Sequence, residues 1–352
     1  MSVSRMFKPG MAGLSFATGL LLCGFIALCA SALGELKVFQ SHGFSVLTVA
    51  IVLGMVFGNT WYKNVESKFE SGVTFSKQNL LRYGIVLYGF RLTLQDIAGV
   101  GLPGIACDML VLCTTFILAL FIGVKLFKLN RDSVILIGAG SSICGAAAIM
   151  ASDGVVKAES EQVSVAVSTV VVFGSVAIFL YPVLYQLNLD LNWISGSANA
   201  FGIYAGSTIH EVAQVVAAGR SISPDVANVA VITKMVRVMM LAPFLLMLPL
   251  LLKSKPTTQK ATPKNKLAIP WFAFLFIGTA VLNSLHVLPT QLVQFLVQVD
   301  TILLAMAMAA LGLTTHLSAV RKAGLKPLLL ALVLFVWLII GGALINKLVF
   351  WL

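Results

Sequence analysis

Two stretches of the chain combine small and polar residues within apolar surroundings. The first, residues 138–148 (GAGSSICGAAA), contains Gly140, Ser141, Ser142 and Gly145. Each glycine lowers helix stability by about 1 kcal/mol relative to alanine, so this density favours an interrupted helix. Backbone N–H groups freed at an interruption, together with the positive end of the following half-helix, can bind an anion. The alternative is that the small residues let two helices pack closely.

The second stretch, residues 206–214 (GSTIHEVAQ), echoes the first and adds ionisable groups. Spacings of three and four residues predict that Ser207, His210, Glu211 and Gln214 share one helical face. A glutamate buried in a membrane is costly, so Glu211 should face the protein interior and have a partner. The alternative is a purely structural ion pair. The candidate substrate ligands in this stretch are Ser207, Thr208 and His210.

Charged residues elsewhere in apolar segments are further candidates. Lys234 and Arg237 are three positions apart and well inside a predicted span, so they are candidate partners of Glu211 or counter-charges for an anionic substrate. The alternative is that their long side chains reach the outer interface. Asp108 and Asp300 are isolated carboxylates within predicted spans. Together with Glu211, they could take up a proton or a sodium ion that is coupled to transport.

The sequence offers little support for enzyme chemistry. The run His210-Glu211-x-x-Gln214 resembles the zinc-protease pattern His-Glu-x-x-His, but glutamine stands where the second histidine is required. A zinc enzyme built on His210 and Glu211 is therefore only a minor alternative. The chain contains no nucleotide-binding P-loop and no paired Cys/His metal set. We therefore expect no enzyme activity, no cofactor and no bound metal.

Composition shows which kind of element must position these residues. The chain has 352 residues, of which 59% are hydrophobic and 11% charged, and its mean hydropathy is +0.98. A soluble domain cannot bury so much apolar surface, and apolar stretches close to the ~20 residues that cross a bilayer recur throughout. The net charge of +11 lies mostly in short loops, which points to membrane topology and not to nucleic acid.

Hydropathy predicts an all-α integral membrane protein with about eleven transmembrane helices. Positive charge favours loops after even-numbered spans, including the linker 253–266, which places the N-terminus in the cytoplasm and the C-terminus outside. Aromatic residues near span ends, Tyr181 among them, suggest interfacial belts. The predicted spans are 11–33, 44–58, 76–93, 102–127, 133–151, 163–187, 198–218, 226–252, 267–287, 290–313 and 326–349.

Several stretches resemble a known bacterial family. FSKQNLLRYGIVLYGFRLT (75–93), GAGSSICGAAAIMA (138–151), FGIYAGSTIHEVAQVVAAG (201–219) and the pair Lys234-x-x-Arg237 are similar to the YeiH-type sulfate exporters of the inner membrane. The similarity extends through most of the chain. That family is grouped with sodium/proton antiporters and bile-acid symporters.

Composition indicates one polytopic membrane domain over 1–352, and the long apolar run 11–33 is predicted to be an extra N-terminal helix. The resemblance implies that the rest comprises two inverted five-helix repeats (34–187 and 198–350). Discontinuous helices would cross at spans five and ten. The break is better supported in span five, since span ten is rich in small residues but lacks a serine pair. A weak echo between residues 90–93 and 311–314 does not fit this division.

These observations favour a secondary transporter of a small anion in the inner membrane. The resemblance implies that the anion is sulfate or a related sulfur oxyanion and that it is exported. The alternative is a monovalent cation/proton antiporter, which is disfavoured because the break in residues 140–145 carries no acid. The expected partners are the anion, a proton or sodium ion, and membrane lipid. The sequence leaves open whether the chain is a monomer or a homodimer.

Overall fold

The computed structural model describes residues 9–34, 45–191, 193–194, 197–251, 271–315 and 324–351. All regular secondary structure in these ranges is helical. The predicted linker 253–266 lies outside the described residues. The chain divides into two compact units: Met1–Thr93 with Leu275–Leu317, and Leu94–Phe274 with Ser318–Leu352.

Long apolar helices confirm the membrane class. Among the described residues, six helices are long and apolar enough to cross a bilayer, and four shorter apolar helices accompany them. The count of eleven spans and the inverted repeats remain predictions. The six long helices contain Leu14–Gly34, Leu94–Leu126, Glu161–Leu191, Pro224–Pro249, Thr290–Leu313 and Leu325–Phe350.

The first unit is built on close contacts between helices. Its described helices are α1 (Pro9–Gly34), α2 (Val46–Thr60), α3 (Glu70–Phe75), α4 (Leu81–Tyr88), the part of α13 (Trp271–Ser284) from residue 275 onward, and α14 (Thr290–Leu313). A π-helical turn, Ser76–Leu80, joins α3 to α4. Helix α14 packs against α1, α2 and α4.

Predicted span ten is continuous, contrary to the expectation that it would be a broken crossing helix. Helix α14 runs from Thr290 to Leu313 without interruption. Its small residues serve close packing on α2, because a β-carbon on Gly54 would lie 3.0 Å from Gly312 Cα and one on Gly312 would overlap the Ile51 carbonyl oxygen. Small residues here bring two backbones together and do not unwind the helix.

In the described part of the second unit, two predicted spans are interrupted in mid-course, and a third helix, Leu94–Leu120, is kinked near its start, where Gly101 has φ +48° and ψ −159°. Its described helices are α5 (Leu94–Leu120), α6 (Arg131–Ser142), α7 (Ala146–Val156), α8 (Ser160–Leu191), α9 (Ala198–Thr208), α10 (Val212–Ile222), α11 (Pro224–Met239), α12 (Leu241–Leu251) and α15 (Leu325–Trp351). The first interruption separates α6 from α7, which confirms the predicted break in span five. The second separates α9 from α10 and occurs in span seven.

The two interruptions differ in backbone geometry. At the first, Gly145 adopts φ +68°, a left-handed conformation that glycine adopts without steric cost. At the second, Ile209 and Glu211 are extended, with ψ 142° and 149°. Helix α11 packs against α5, α9 and α10. It thereby brings its own side chains to these helix ends.

Candidate functional site

One buried lysine joins the two interruptions. The ammonium group of Lys234, on α11, donates hydrogen bonds to the carbonyl oxygens of Ile143 (2.8 Å) and Ile209. These two residues directly follow the last helical residues of α6 and α9. Because the C-terminal end of a helix carries partial negative charge, one cation stabilises both ends. The Lys234 ammonium therefore binds a backbone carbonyl oxygen at each of the two interruptions.

One glutamate occupies the opposite, positive helix ends. Glu211 Oε1 accepts a hydrogen bond from the backbone N–H of Ala146, the first residue of α7, at 3.2 Å. The same carboxylate caps α10 in a reciprocal capping box, in which the Glu211 N–H donates to Gln214 Oε1 at 3.0 Å. We predicted that an anion would bind at such helix ends. In the structure, the protein's own carboxylate lies there.

Two glycines make room for these polar side chains. A β-carbon on Gly145 would overlap Glu211 Cγ and lie 2.9 Å from Oε1. A β-carbon on Gly174, in α8, would overlap the side-chain amide of Gln214. Both side chains thus lie against bare backbone, and this explains why glycine is needed at these two positions.

Arg237 is the least satisfied cation of the described residues around the interruptions. Its side chain is 0% exposed, and Nε donates to the carbonyl oxygen of Ser142 at 2.7 Å. The terminal nitrogens Nη1 and Nη2 have no hydrogen-bond partner among the described residues. Buried polar groups almost always have partners, so two unused donors on a buried guanidinium indicate a place for an acceptor that the chain itself does not supply.

Further ionisable groups lie within electrostatic range of Arg237. They are Asp108 from α5, Cys144 from the first interruption, Tyr181 from α8, His210 from the second interruption and Lys234. The structure therefore brings the predicted residues Asp108, His210, Lys234 and Arg237 into one buried region. Four elements besides α11 contribute to it.

Like Arg237, Asp108 and His210 are buried and have polar atoms without a hydrogen-bond partner among the described residues. Asp108 is 0% exposed, and neither carboxylate oxygen accepts a hydrogen bond from a described residue. His210 is 1% exposed, neither ring nitrogen has a partner in the described part of the chain, and its ring lies 6.0 Å from that of Phe335. A group of unpartnered buried polar atoms is what a polar ligand or ordered water would satisfy.

Two tyrosines hold the end of α9 in place. Tyr181, on α8, donates to Thr208 Oγ1 at 2.7 Å, and Thr208 donates in turn to the carbonyl oxygen of Tyr204. The Tyr204 hydroxyl donates to the carbonyl oxygen of Ile339 at 3.0 Å. The prediction that Tyr181 belongs to an interfacial belt is wrong, since the residue is 0% exposed and hydrogen-bonded inside the second unit.

The predicted common helical face in residues 207–214 is also wrong. Helix α9 ends at Thr208, so Ser207 and Gln214 lie on different helices and His210 and Glu211 lie in the extended segment between them. The periodicity argument fails because it assumes an unbroken helix. Ser207 Oγ donates to the Tyr204 carbonyl oxygen at 3.0 Å.

The small residues of the first stretch have separate roles. Gly140 gives space to the side chains of Ile149 and Val170, so it serves packing. Ser142 contributes its carbonyl oxygen to Arg237. Ser141 is 3% exposed, and its hydroxyl has no partner among the described residues, which leaves it available to a ligand.

Asp300 lies in the other unit, where it forms an ion pair. Arg91 Nε donates to Asp300 Oδ2 at 2.7 Å, and Arg91 also donates to the Val297 carbonyl oxygen and to Thr301 Oγ1. This pair fastens the chain just after α4 to the middle of α14. A coupling role for Asp300 remains a prediction. Among the described residues, no three His, Cys, Asp or Glu side chains are grouped as a metal site would require.

These features define an α-helical integral membrane protein in which a charged, buried region surrounds two interrupted helices. The family model described as "Conserved hypothetical protein 698" matches residues 18–331. The chain therefore belongs to this family, known as UPF0324 or YeiH-type.

Several bacterial proteins are similar to this chain over nearly their whole length. The UPF0324 inner membrane protein YeiH of Escherichia coli K12 is 56% identical over 340 residues, which are 97% of this chain and 93% of the relative. The YeiH protein of Salmonella typhimurium is 56% identical over 344 residues, 97% and 94% of the two chains. A UPF0324 membrane protein of Pseudomonas aeruginosa is 56% identical over 331 residues, 94% and 93%.

Proposed function

We propose that this protein is a secondary transporter of a small anion and that the anion binds at Arg237. The observation that carries the proposal is that Nη1 and Nη2 of a fully buried guanidinium have no hydrogen-bond partner among the described residues. A guanidinium presents paired donors that match the geometry of a carboxylate, sulfonate or other oxyanion. Arginine buried without an acceptor is costly, and a bound oxyanion would remove that cost.

The surroundings of Arg237 fit an anion better than a cation. The buried guanidinium of Arg237 would repel a sodium ion there, whereas the charge of Lys234 is balanced by the two helix ends that its ammonium caps. The His210 ring, on which the charge of Arg237 acts, adds a group that can donate a hydrogen bond. A monovalent cation/proton antiporter would have to bind its cation at Asp108 beside the buried guanidinium of Arg237, so we place this function second.

Interrupted helices suit a transport function. Backbone without regular hydrogen bonds is tolerated at membrane depth only where it is buried in protein or lines a water-filled cavity. In secondary transporters, such segments form the substrate site and change their surroundings as access alternates. The family resemblance makes sulfate, sulfite and organosulfonates the first anions to test, with export as the expected direction and the inner membrane as the location.

Flux into proteoliposomes tests the proposal. Labelled sulfate, sulfite, methanesulfonate and formate are offered to the purified full chain under imposed proton and sodium gradients. We expect flux of at least one of these anions, and we expect Arg237→Gln to reduce it at least about tenfold through loss of the charged donors.

A matched variant controls for the loss of an arginine. Arg82 is an exposed residue of α4 in the other unit, and Arg82→Gln should leave flux unchanged. Flux of sodium or potassium in exchange for protons, with no flux of any anion, would contradict the proposal and favour the antiporter. If the Arg237→Gln variant transports anions at the wild-type rate, Arg237 is not part of the binding site.

A further inference from the structure

The charged side chains of the buried region form two groups. Glu211 and Lys234 cap helix ends, whereas Arg237 and Asp108 form a second group. Glu211 lies at the N-terminal ends of α7 and α10, and Lys234 lies at the C-terminal ends of α6 and α9. Each helix end carries about half an elementary charge, so two N-terminal ends balance one carboxylate and two C-terminal ends balance one ammonium. Glu211 and Lys234 are thus neutralised by the backbone.

The second group consists of Arg237 and Asp108. Arg237 exerts the largest charge interaction on Asp108, and Asp108 exerts the largest one on Arg237. Yet the carboxylate accepts no hydrogen bond from a described residue, and the terminal nitrogens of Arg237 donate none. The two groups are close enough to sense each other's charge but do not form a hydrogen-bonded pair. The donors Nη1 and Nη2 of Arg237 therefore remain available to an anion, as far as the described residues are concerned.

We propose that the transported anion and the ionised carboxylate of Asp108 compete for the charge of Arg237, so that one singly charged oxyanion binds together with one proton on Asp108. This inference rests on the proposed function and specifies the charge of its substrate and its coupling ion. When Asp108 is ionised, Arg237 is neutralised and the anion is repelled. Protonation of Asp108 leaves one positive charge, which one monovalent anion balances.

A doubly charged anion fits this balance poorly. With Asp108 protonated, it would leave one net negative charge in a fully buried region, and burial of an uncompensated charge is strongly unfavourable. The positive charges of Lys234 and Arg237 act on His210 and oppose a third positive charge there. The substrate class that the region fits is therefore a small monovalent oxyanion such as a sulfonate, a carboxylate or hydrogensulfite, and not the sulfate dianion.

The groups that face Asp108 support a single titrating site. Helices α6, α9, α11 and α15 pack against α5. The charged groups that act on Asp108 are Arg237 and Lys234, both on α11, and its titratable neighbour in the chain is Cys107. Helix α9 contains no Asp, Glu, Lys, Arg or His, and the charged residues of α6 and α15 lie near the ends of those helices, at Arg131, Asp132, Lys326 and Lys347.

Coupled binding of this kind determines how the ions move. Because the proton and the anion each raise the affinity for the other, the doubly loaded site is favoured, and a change of access in this form carries both in the same direction. The movement is electroneutral. A proton gradient directed into the cell would drive uptake, and net export would require a higher concentration of the anion inside.

Proton uptake on binding tests the inference. Methanesulfonate carries one negative charge at all relevant pH values, so it is titrated into the full chain in nanodiscs by calorimetry, in buffers of different ionisation enthalpy. We expect uptake of about one proton per anion within the range of about pH 5 to 9, and loss of affinity by about tenfold per pH unit at the alkaline end.

Variants assign the proton to a residue. Asp108→Asn should bind methanesulfonate with no proton uptake and with affinity independent of pH, because the amide mimics the protonated acid. Asp225→Asn, at an exposed position at the start of α11, should keep the wild-type proton count. Proton uptake that persists in Asp108→Asn would overturn the inference. The number of protons that the wild-type protein takes up per anion tests the inference even if the Asp108→Asn variant fails to fold.

Comparison of two anions tests whether the site prefers a singly charged substrate. At matched ionic strength, methanesulfonate should bind at least about tenfold more tightly than sulfate, since only sulfate leaves an uncompensated charge. Tighter binding of sulfate, or methanesulfonate binding with no proton uptake at any pH, would overturn this inference and leave the proposed function intact. Absence of both binding and flux for every anion would overturn the proposed function itself.

Discussion

The carboxylate of Glu211 lies against the bare backbone of Gly145, in space that any β-carbon would occupy. The contact joins the two interruptions, because Glu211 belongs to the segment between α9 and α10 and Gly145 precedes α7. From this position the carboxylate reaches the N–H of Ala146 and caps α10. The contact between Glu211 and Gly145 therefore contributes to the geometry of both interruptions, together with Lys234.

Gly145→Ala should destabilise the second unit. The methyl group would overlap Glu211 Cγ and would also impose a left-handed conformation on alanine, which costs roughly 1–3 kcal/mol. Thermal unfolding in detergent, followed by circular dichroism, should show a lower midpoint. Gly154→Ala is the control, because a β-carbon there meets no atom within 4 Å. Equal midpoints for the two variants would contradict the assigned role of Gly145.

Replacement of Lys234 should loosen both interruptions. Lys234→Met keeps the apolar stem but removes the ammonium that donates to the carbonyl oxygens of Ile143 and Ile209. We expect faster amide hydrogen exchange at the ends of α6 and α9, since both lose their cap. Lys347→Met, at an exposed position in α15, should leave exchange unchanged. Unaltered exchange in Lys234→Met would show that the ammonium is dispensable there.

The first interruption could be predicted from the sequence, and the second could not. Residues 138–148 contain enough glycine to disfavour a helix on local grounds. The stretch 206–214 has one glycine and a helical periodicity of polar residues, which indicated an unbroken helix. It is interrupted because Lys234 and the contact between Glu211 and Ala146 stabilise helix ends there, and these contacts arise only in the folded chain.

The candidate site was predictable in its members but not in its arrangement. Asp108, His210 and Arg237 stood out as ionisable residues in apolar segments. No spacing relates Asp108 to Arg237, because they lie on helices that meet only through tertiary packing. Tyr181 was assigned to the membrane interface because its position near a span end resembled a belt residue, and its hydrogen bond to Thr208 has no local signal.

Tyr181→Phe should weaken the attachment of α9 to α8. The variant removes the hydrogen bond to Thr208 Oγ1 and should cost about 1 kcal/mol of stability. Tyr185→Phe is the matched control one turn further along α8, where the ring packs against Phe201 at 4.9 Å. Chemical unfolding in mixed micelles measures the free energy of unfolding of both variants. A Tyr181→Phe protein as stable as Tyr185→Phe would show that this hydrogen bond does not hold α9.

The ion pair between Arg91 and Asp300 should act on stability and not on anion binding. A double-mutant cycle with Arg91→Gln and Asp300→Asn should give a coupling energy of roughly 1–3 kcal/mol, because the carboxylate is buried. The affinity for methanesulfonate should stay within about twofold of wild type in both single variants, since the pair lies in the other unit. Loss of proton uptake in Asp300→Asn would instead support the predicted coupling role of Asp300.

The position of a bound anion tests the central claim most directly. Bromomethanesulfonate is a small monovalent oxyanion whose bromine can be located by anomalous scattering in crystals of the full chain. We predict one bromine peak in the second unit, with the sulfonate oxygens within hydrogen-bonding distance of Arg237 Nη1 and Nη2, and no such peak in Arg237→Gln. A peak located instead at the N-terminal ends of α7 and α10, with Glu211 displaced, would contradict the account.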